Sequence, residues 1–123
     1  MQITTPLNNL LNISFPLIMA PMFLVSNEGM MKSAIDGGVM GVFPSLNYRN
    51  AGELDAVIDE LHRYRDKTSG PGSFGVNLIV QKSNPLFEQH LAICVAGKVP
   101  FYITSLGSPA EVIRQAHSYG AKV

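Results

Sequence analysis

The sequence has one cysteine, Cys94, so it forms no internal disulfide, and no Cys/His spacing of the metal-binding kind surrounds it. That usage fits a reducing, cytoplasmic setting, with Cys94 read as a small buried apolar side chain. Excess charge of either sign is also missing: nine Lys and Arg balance nine Asp and Glu over 123 residues. No nucleic-acid surface and no polybasic membrane patch is suggested, which leaves a small molecule or a protein as the expected partner. Residues 1–23, "MQITTPLNNLLNISFPLIMAPMF", have no basic leader and are broken by Pro6, Pro16 and Pro21. They read as neither signal peptide nor membrane-spanning helix. GxGxxG, Walker, GxSxG and HExxH sequences are all absent.

What the chain does have is a repeated unit. Four short apolar runs recur: "PLIMA" (16–20), "VMGVFPS" (39–45), "FGVNLIV" (74–80) and "VPFYITS" (99–105). None alternates polar with apolar residues, so each is expected to be a strand buried on both faces, as parallel strands are.

Helical punctuation separates the runs. Ser26 is the expected cap of a helix through "NEGMMKSAID", which closes at Gly37 and Gly38. Asn50 and Glu53 open a second helix whose Leu54, Val57, Ile58 and Leu61 follow the i, i+3, i+4, i+7 pattern of a face laid against a sheet. A third is expected from Asn84 and Pro85, with Phe87, Leu91, Cys94 and Val95 on one side. The fourth carries a capping-box signal in Ser108, Pro109 and Glu111, buries Val112, Ile113 and Ala116, and stops at Gly120.

Strand and helix alternating four times predict right-handed βαβ crossovers and a parallel sheet. An open doubly wound sheet and a (β/α)8 barrel both satisfy this pattern, and both place ligands at the carboxyl ends of the strands. Those ends read "APMFLVSNEG", "FPSLNYRN", "VNLIVQKSN" and "TSLGSP". Their Gly, Pro, Ser and Asn content suits close backbone approach to a planar ligand, and it is also ordinary turn chemistry. Asn77 stands out because a buried amide within an apolar run must bond either neighbouring backbone or a polar ligand. His62, His90 and His117 all fall within helices, none at an expected strand tip, and nearly all Asp and Glu map to helices too. Met19, Met30, Met31 and Met40 read as core filler, whereas Met22 directly follows Ala20 and Pro21 at the end of the first strand.

At this point "PLIMAPM", "MKSAIDGGVMGVFPS" and "FGVNLIV" together resemble the nitronate monooxygenase family, formerly called 2-nitropropane dioxygenases. The shared pattern is Ala20, Pro21 and Met22 after the first strand, Gly37 and Gly38 before the second, and Phe74, Gly75, Val76 and Asn77 in the third. The resemblance implies an FMN-dependent (β/α)8 TIM barrel of the α/β class and so selects the barrel over the open sheet. It implies that Ala20, Pro21 and Met22 lie along the flavin ring and that Asn77 hydrogen-bonds FMN. Thr104, Ser105, Leu106 and Gly107 align loosely with a small tip bordering the same cavity.

The family's catalytic histidine and phosphate loops belong to later strands, and a whole barrel needs roughly 250 residues. The 123 residues are therefore expected to be the N-terminal half of a barrel, about four βα units, with Ala121, Lys122 and Val123 opening a fifth strand. No catalytic residue and no metal ligand is assigned within it. The implied activity is oxidation of alkyl nitronates with O2. The related flavin-dependent enoyl-acyl-carrier-protein reductases share the opening motifs and imply NAD(P)H as hydride donor instead. An inactive interaction module, with "TSGPGS" (68–73) as a surface turn, is the non-enzymatic alternative, and a homo-oligomer covering the half-barrel edges is a further expectation.

Overall fold

The structure, a computed structural model, describes residues 2–123. Four parallel strands, β1 (Ile18–Met19), β2 (Met40–Pro44), β3 (Ser73–Ile79) and β4 (Tyr102–Ser105), form one sheet in the order β1-β2-β3-β4. Register runs Ile18 to Met40, Met40 to Ser73 and Asn77 to Ile103. Crossovers are made by α2 (Glu28–Gly37), α3 (Glu53–Thr68) and α4 (Phe87–Ala96); α5 (Ala110–His117) follows β4, and a short α1 (Pro6–Leu11) precedes β1.

Side-chain alternation divides the sheet into two faces. Phe43, Phe74, Val76, Leu78 and Tyr102 point outward and share one core with Met31 and Ile35 of α2, Leu54, Ile58 and Leu61 of α3, Leu91 and Cys94 of α4, and Val112 and Ala116 of α5. Met40, Val42 and Phe101 point the other way, into a smaller cluster with Leu11 and Ile13 at the end of α1. The four helices that follow strands thus pack on one side, as in a barrel, and the chain forms a (β/α)8 half-barrel of four βα units.

Close approach between layers depends on small residues. A Cβ on Gly41 would sit 2.8 Å from the Ala34 methyl, so α2 rests directly on β2 there. Gly38 caps α2 at φ +78°, the left-handed conformation that a C-terminal glycine supplies without strain.

Several expectations shift. The first strand shrinks to two residues because Pro16 and Pro21, which cannot donate to a ladder, bracket it. Asn27, not Ser26, caps α2, accepting the Met30 N–H at 2.9 Å, while the buried Ser26 hydroxyl accepts from Met22 N–H. Gly52 is the residue before α3, and Asn50 donates to the Glu53 carboxylate from both its backbone N–H and its side chain. The third crossover helix starts at Phe87, after a turn in which Asn84 Oδ1 accepts from Leu86 N–H.

The capping box at Ser108 does not form: Glu111 is engaged by Arg114 and Gln115, which hold its carboxyl down at about 2. The sequence predicts no helix at α1, where six residues are too few for a periodic pattern; Pro6 opens it rather than breaking it, with Asn8 Oδ1 accepting from the Thr5 N–H.

The expected fifth-strand opening is borne out in part. Lys122 bridges Phe101 in parallel, with Tyr102 N–H donating to the Lys122 carbonyl at 2.9 Å and Lys122 N–H to the Pro100 carbonyl at 3.1 Å. Gly120, at φ +87°, makes the turn that delivers it.

Candidate functional site

Parallel strands deliver their carboxyl ends to one rim, and four loops meet there: residues 20–27, 45–52, 80–86 and 106–109. Asn77 lies near that rim on the inner face of β3, because Phe74, Val76 and Leu78 take the outer one. It is buried, and its Nδ2 donates to the Ile103 carbonyl at 3.0 Å and to Ser105 Oγ at 2.9 Å, both on β4. A carbonyl oxygen can only accept, so Ile103 fixes which end of the carboxamide points at β4. Among the described residues no donor reaches Asn77 Oδ1. One half of the amide is therefore structural, and the other half remains available to a ligand on the inner face.

Ala20, Pro21 and Met22 lead out of β1, with Ala20 and Met22 exposed and Pro21 half-buried. The loop they open folds back on itself: Val25 and Ser26 N–H donate to the Met22 carbonyl, and Met22 N–H donates to Ser26 Oγ at 2.8 Å. The structure places these three residues and Asn77 on the same rim, two strands apart in the sheet order, without a hydrogen bond between them. Thr104 and Ser105 end β4, and Ser105 is joined to Asn77; Leu106 is exposed at φ +64°.

A groove of about 390 Å³ runs along the same rim, lined by Leu46 and Arg49 after β2, by Ile79 and Asn84 at the end of β3, and by Leu106 after β4. Of these, the sequence pointed to Leu106 as bordering the cavity and to Asn84 only as a helix start; Leu46, Arg49 and Ile79 were not singled out. The charges in the four rim loops are Arg49 and Lys82, and neither carries a carboxylate partner among the described residues.

The histidines divide. His62 Nε2 meets the Gly97 carbonyl at 2.7 Å and its ring packs edge-on against Phe74, a structural role. His90, expected to lie away from the strand tips, instead reaches one. Its helix packs on the outer face of the sheet, and Nδ1 is 3.0 Å from Oγ of Ser45, directly after β2. Both residues are buried, and burial pushes the imidazole below its ordinary pKa, leaving it neutral. Cys94 is buried as expected, its thiol pushed up to about 12. Among the described residues no group of three or more His, Cys, Asp or Glu is placed to hold a metal ion, and no helix is long and apolar enough to cross a membrane.

No family model matches the chain, and no curated protein matches it significantly. Solved structures do. FabK from Thermotoga maritima superposes with a TM-score of 0.82 at 27% identity, over 98% of this chain. A point mutant of the same protein gives 0.76 at 25% identity over 97%. The chain spans 36% and 38% of the lengths of these two neighbours, so the likeness concerns the four βα units described above.

Proposed function

We propose that the chain is the flavin-facing part of an FMN-dependent oxidoreductase of the cytoplasm. The observation that carries this reading is the divided carboxamide of Asn77: anchored through Nδ2, free at Oδ1, and set near the rim where a barrel binds its ligand. Such an acceptor fits an imide N–H of a flavin ring, while Ala20, Pro21 and Met22 offer close backbone approach and apolar side chains beside it. FMN, when bound, supplies the two-electron chemistry. The chain's own residues orient the ring and exclude water. No base is assigned among them: His90 is buried against Ser45, and the nine carboxylates all lie in helices.

For the substrate, the solved neighbours weigh toward an enoyl thioester. Both are FabK, a flavin-dependent enoyl-acyl-carrier-protein reductase, with NAD(P)H as the hydride donor in this reading. The nitronate monooxygenase reading rests on the three sequence motifs alone. In either case the open edges at β1 and beyond β4 are covered by the remaining strands of the barrel or by a second copy.

The visible spectrum of the purified 123-residue chain tests the proposal. Flavin absorbance that survives desalting supports it. No bound flavin at saturating FMN would leave the non-catalytic module as the better account of this chain.

A further inference from the structure

The loop after β1 is closed internally by the hydrogen bonds of Met22 and is also held from outside, with Arg49 over the Phe23 ring and Asn47 bonded to Leu24 and Ser26. Met22, Phe23, Leu24 and Val25 are all exposed, Leu24 by 72%, so apolar packing does little to fix them. Leu24 also sits at φ +60°, a left-handed conformation that a γ-branched residue adopts only when its surroundings impose it. Two hydrogen bonds from a single side chain do so. Asn47 Oδ1 accepts the Leu24 N–H at 2.8 Å, and Asn47 Nδ2 donates to the Ser26 carbonyl at 3.0 Å. Because an N–H only donates and a carbonyl only accepts, the pair reads one loop conformation and no other.

Asn47 is itself fixed. It closes the 3-10 turn Ser45–Asn47 that follows β2, where Tyr48 N–H donates to the Ser45 carbonyl at 3.0 Å. Ser45 is anchored in turn by the buried His90 of α4. Polar contacts thus tie α4 to Ser45 and Asn47 to the tip of β1, and the backbone of the Ser45–Asn47 turn joins the two ends.

We infer that Asn47 is the positioning residue for the loop carrying Ala20, Pro21 and Met22, and that Ser45 and His90 hold Asn47 in place to do this. None of the three would touch the cofactor; they act by setting the wall it lies against. The consequence for cofactor binding rests on the flavin reading above, whereas the consequence for the loop does not.

Asn47→Ala and Ser45→Ala in the 123-residue chain test this, with amide hydrogen exchange at Leu24 and Ser26, exchange at Ile58 as the fold control, and FMN titration. The expected result is exchange at Leu24 and Ser26 at least tenfold faster in both variants, Ile58 unchanged, and FMN binding weakened about tenfold. Unchanged exchange at Leu24 in Asn47→Ala would overturn the inference. Fast exchange with full FMN affinity would overturn the cofactor-positioning role, and a response to Asn47→Ala but not to Ser45→Ala would remove Ser45 and His90 from the path. Should the unmodified chain bind no FMN at all, the flavin reading falls, and the exchange data alone decide whether Asn47 governs the loop.

Discussion

The hydroxyls of Tyr102 and Tyr119 lie 2.6 Å apart, and Tyr119 also donates to the Val99 carbonyl at 2.7 Å. With its one hydrogen spent on Val99, Tyr119 can only accept from Tyr102. The two positions should therefore respond unequally to loss of a hydroxyl. Tyr102→Phe removes one bond and should cost about 1 kcal/mol. Tyr119→Phe breaks both bonds and leaves the fully buried Tyr102 hydroxyl without its acceptor, so it should cost about 2–3 kcal/mol. Urea unfolding of the two variants checks the order, and equal losses would show that the donor direction is wrong.

Asn77→Ala and Asn77→Asp, compared, separate the two halves of that amide: Asn77→Ala deletes the whole of it. It removes both anchors to β4 and the free acceptor, so FMN occupancy should fall along with about 1–2 kcal/mol of stability. Asn77→Asp keeps an oxygen on the inner face but sets a carboxylate against the Ile103 carbonyl, and should be the less stable of the two. Flavin content and unfolding midpoint are read on the same samples. Full occupancy in Asn77→Ala would make the residue purely structural.

Two glycines predict opposite signs. A methyl on Gly72 would lie 2.5 Å from both the Ala34 and Val39 carbonyl oxygens, all rigid backbone, so Gly72→Ala should cost about 3 kcal/mol or more. A methyl on Gly37, the last residue of α2, meets nothing within 4 Å, and Gly37→Ala should gain about 0.5 kcal/mol from helix propensity. Thermal melts of both variants test the pair.

Burial holds the His90 imidazole below its ordinary value of 6.5, so the unfolded chain takes up a proton there that the folded chain refuses. The stability contributed by a neutral His90 is complete above pH 6.5 and is lost as pH falls from 6.5 toward the lower folded value. His90→Gln should flatten this part of the stability profile. A slope unchanged by the substitution would assign the acid sensitivity to other groups.

Most of the architecture was readable because it depends on patterns spanning whole elements. The continuous apolar run from Phe74 to Val80 could hardly be anything but a buried strand, and the stripe at Leu54, Val57, Ile58 and Leu61 is buried as its spacing required. What sequence could not resolve are choices made by tertiary contact. Ser26 and Asn27 are equally able caps; the cap falls to Asn27 because Met22 N–H, four residues upstream of Ser26, occupies the serine hydroxyl. The Ser108 box loses its Glu111 to Arg114 for the same kind of reason.

At the site, Asn77 was legible as a polar residue out of place, and the structure shows where half of its amide goes. His90 was not legible, because its partner Ser45 stands 45 positions away and only the packing of α4 on the outer face of the sheet brings them together. Asn47 escaped for a different reason: within "FPSLNYRN" nothing distinguishes it from an ordinary turn asparagine, and its significance lies wholly in a loop one crossover helix earlier in the chain but adjacent in space.

The strand order β1-β2-β3-β4 follows the order of synthesis, so every strand pairs with the one made just before it. A ribosome adding about 5–20 residues per second delivers each new strand to a template already laid down. After β1, no strand has to wait for a partner still untranslated, and the growing edge of the sheet is the one about to be used. Helix docking lags one step behind: α2 is capped by Gly38, but its partners lie in β2, α3 and β3, so it can settle only after the strand that follows it has been made.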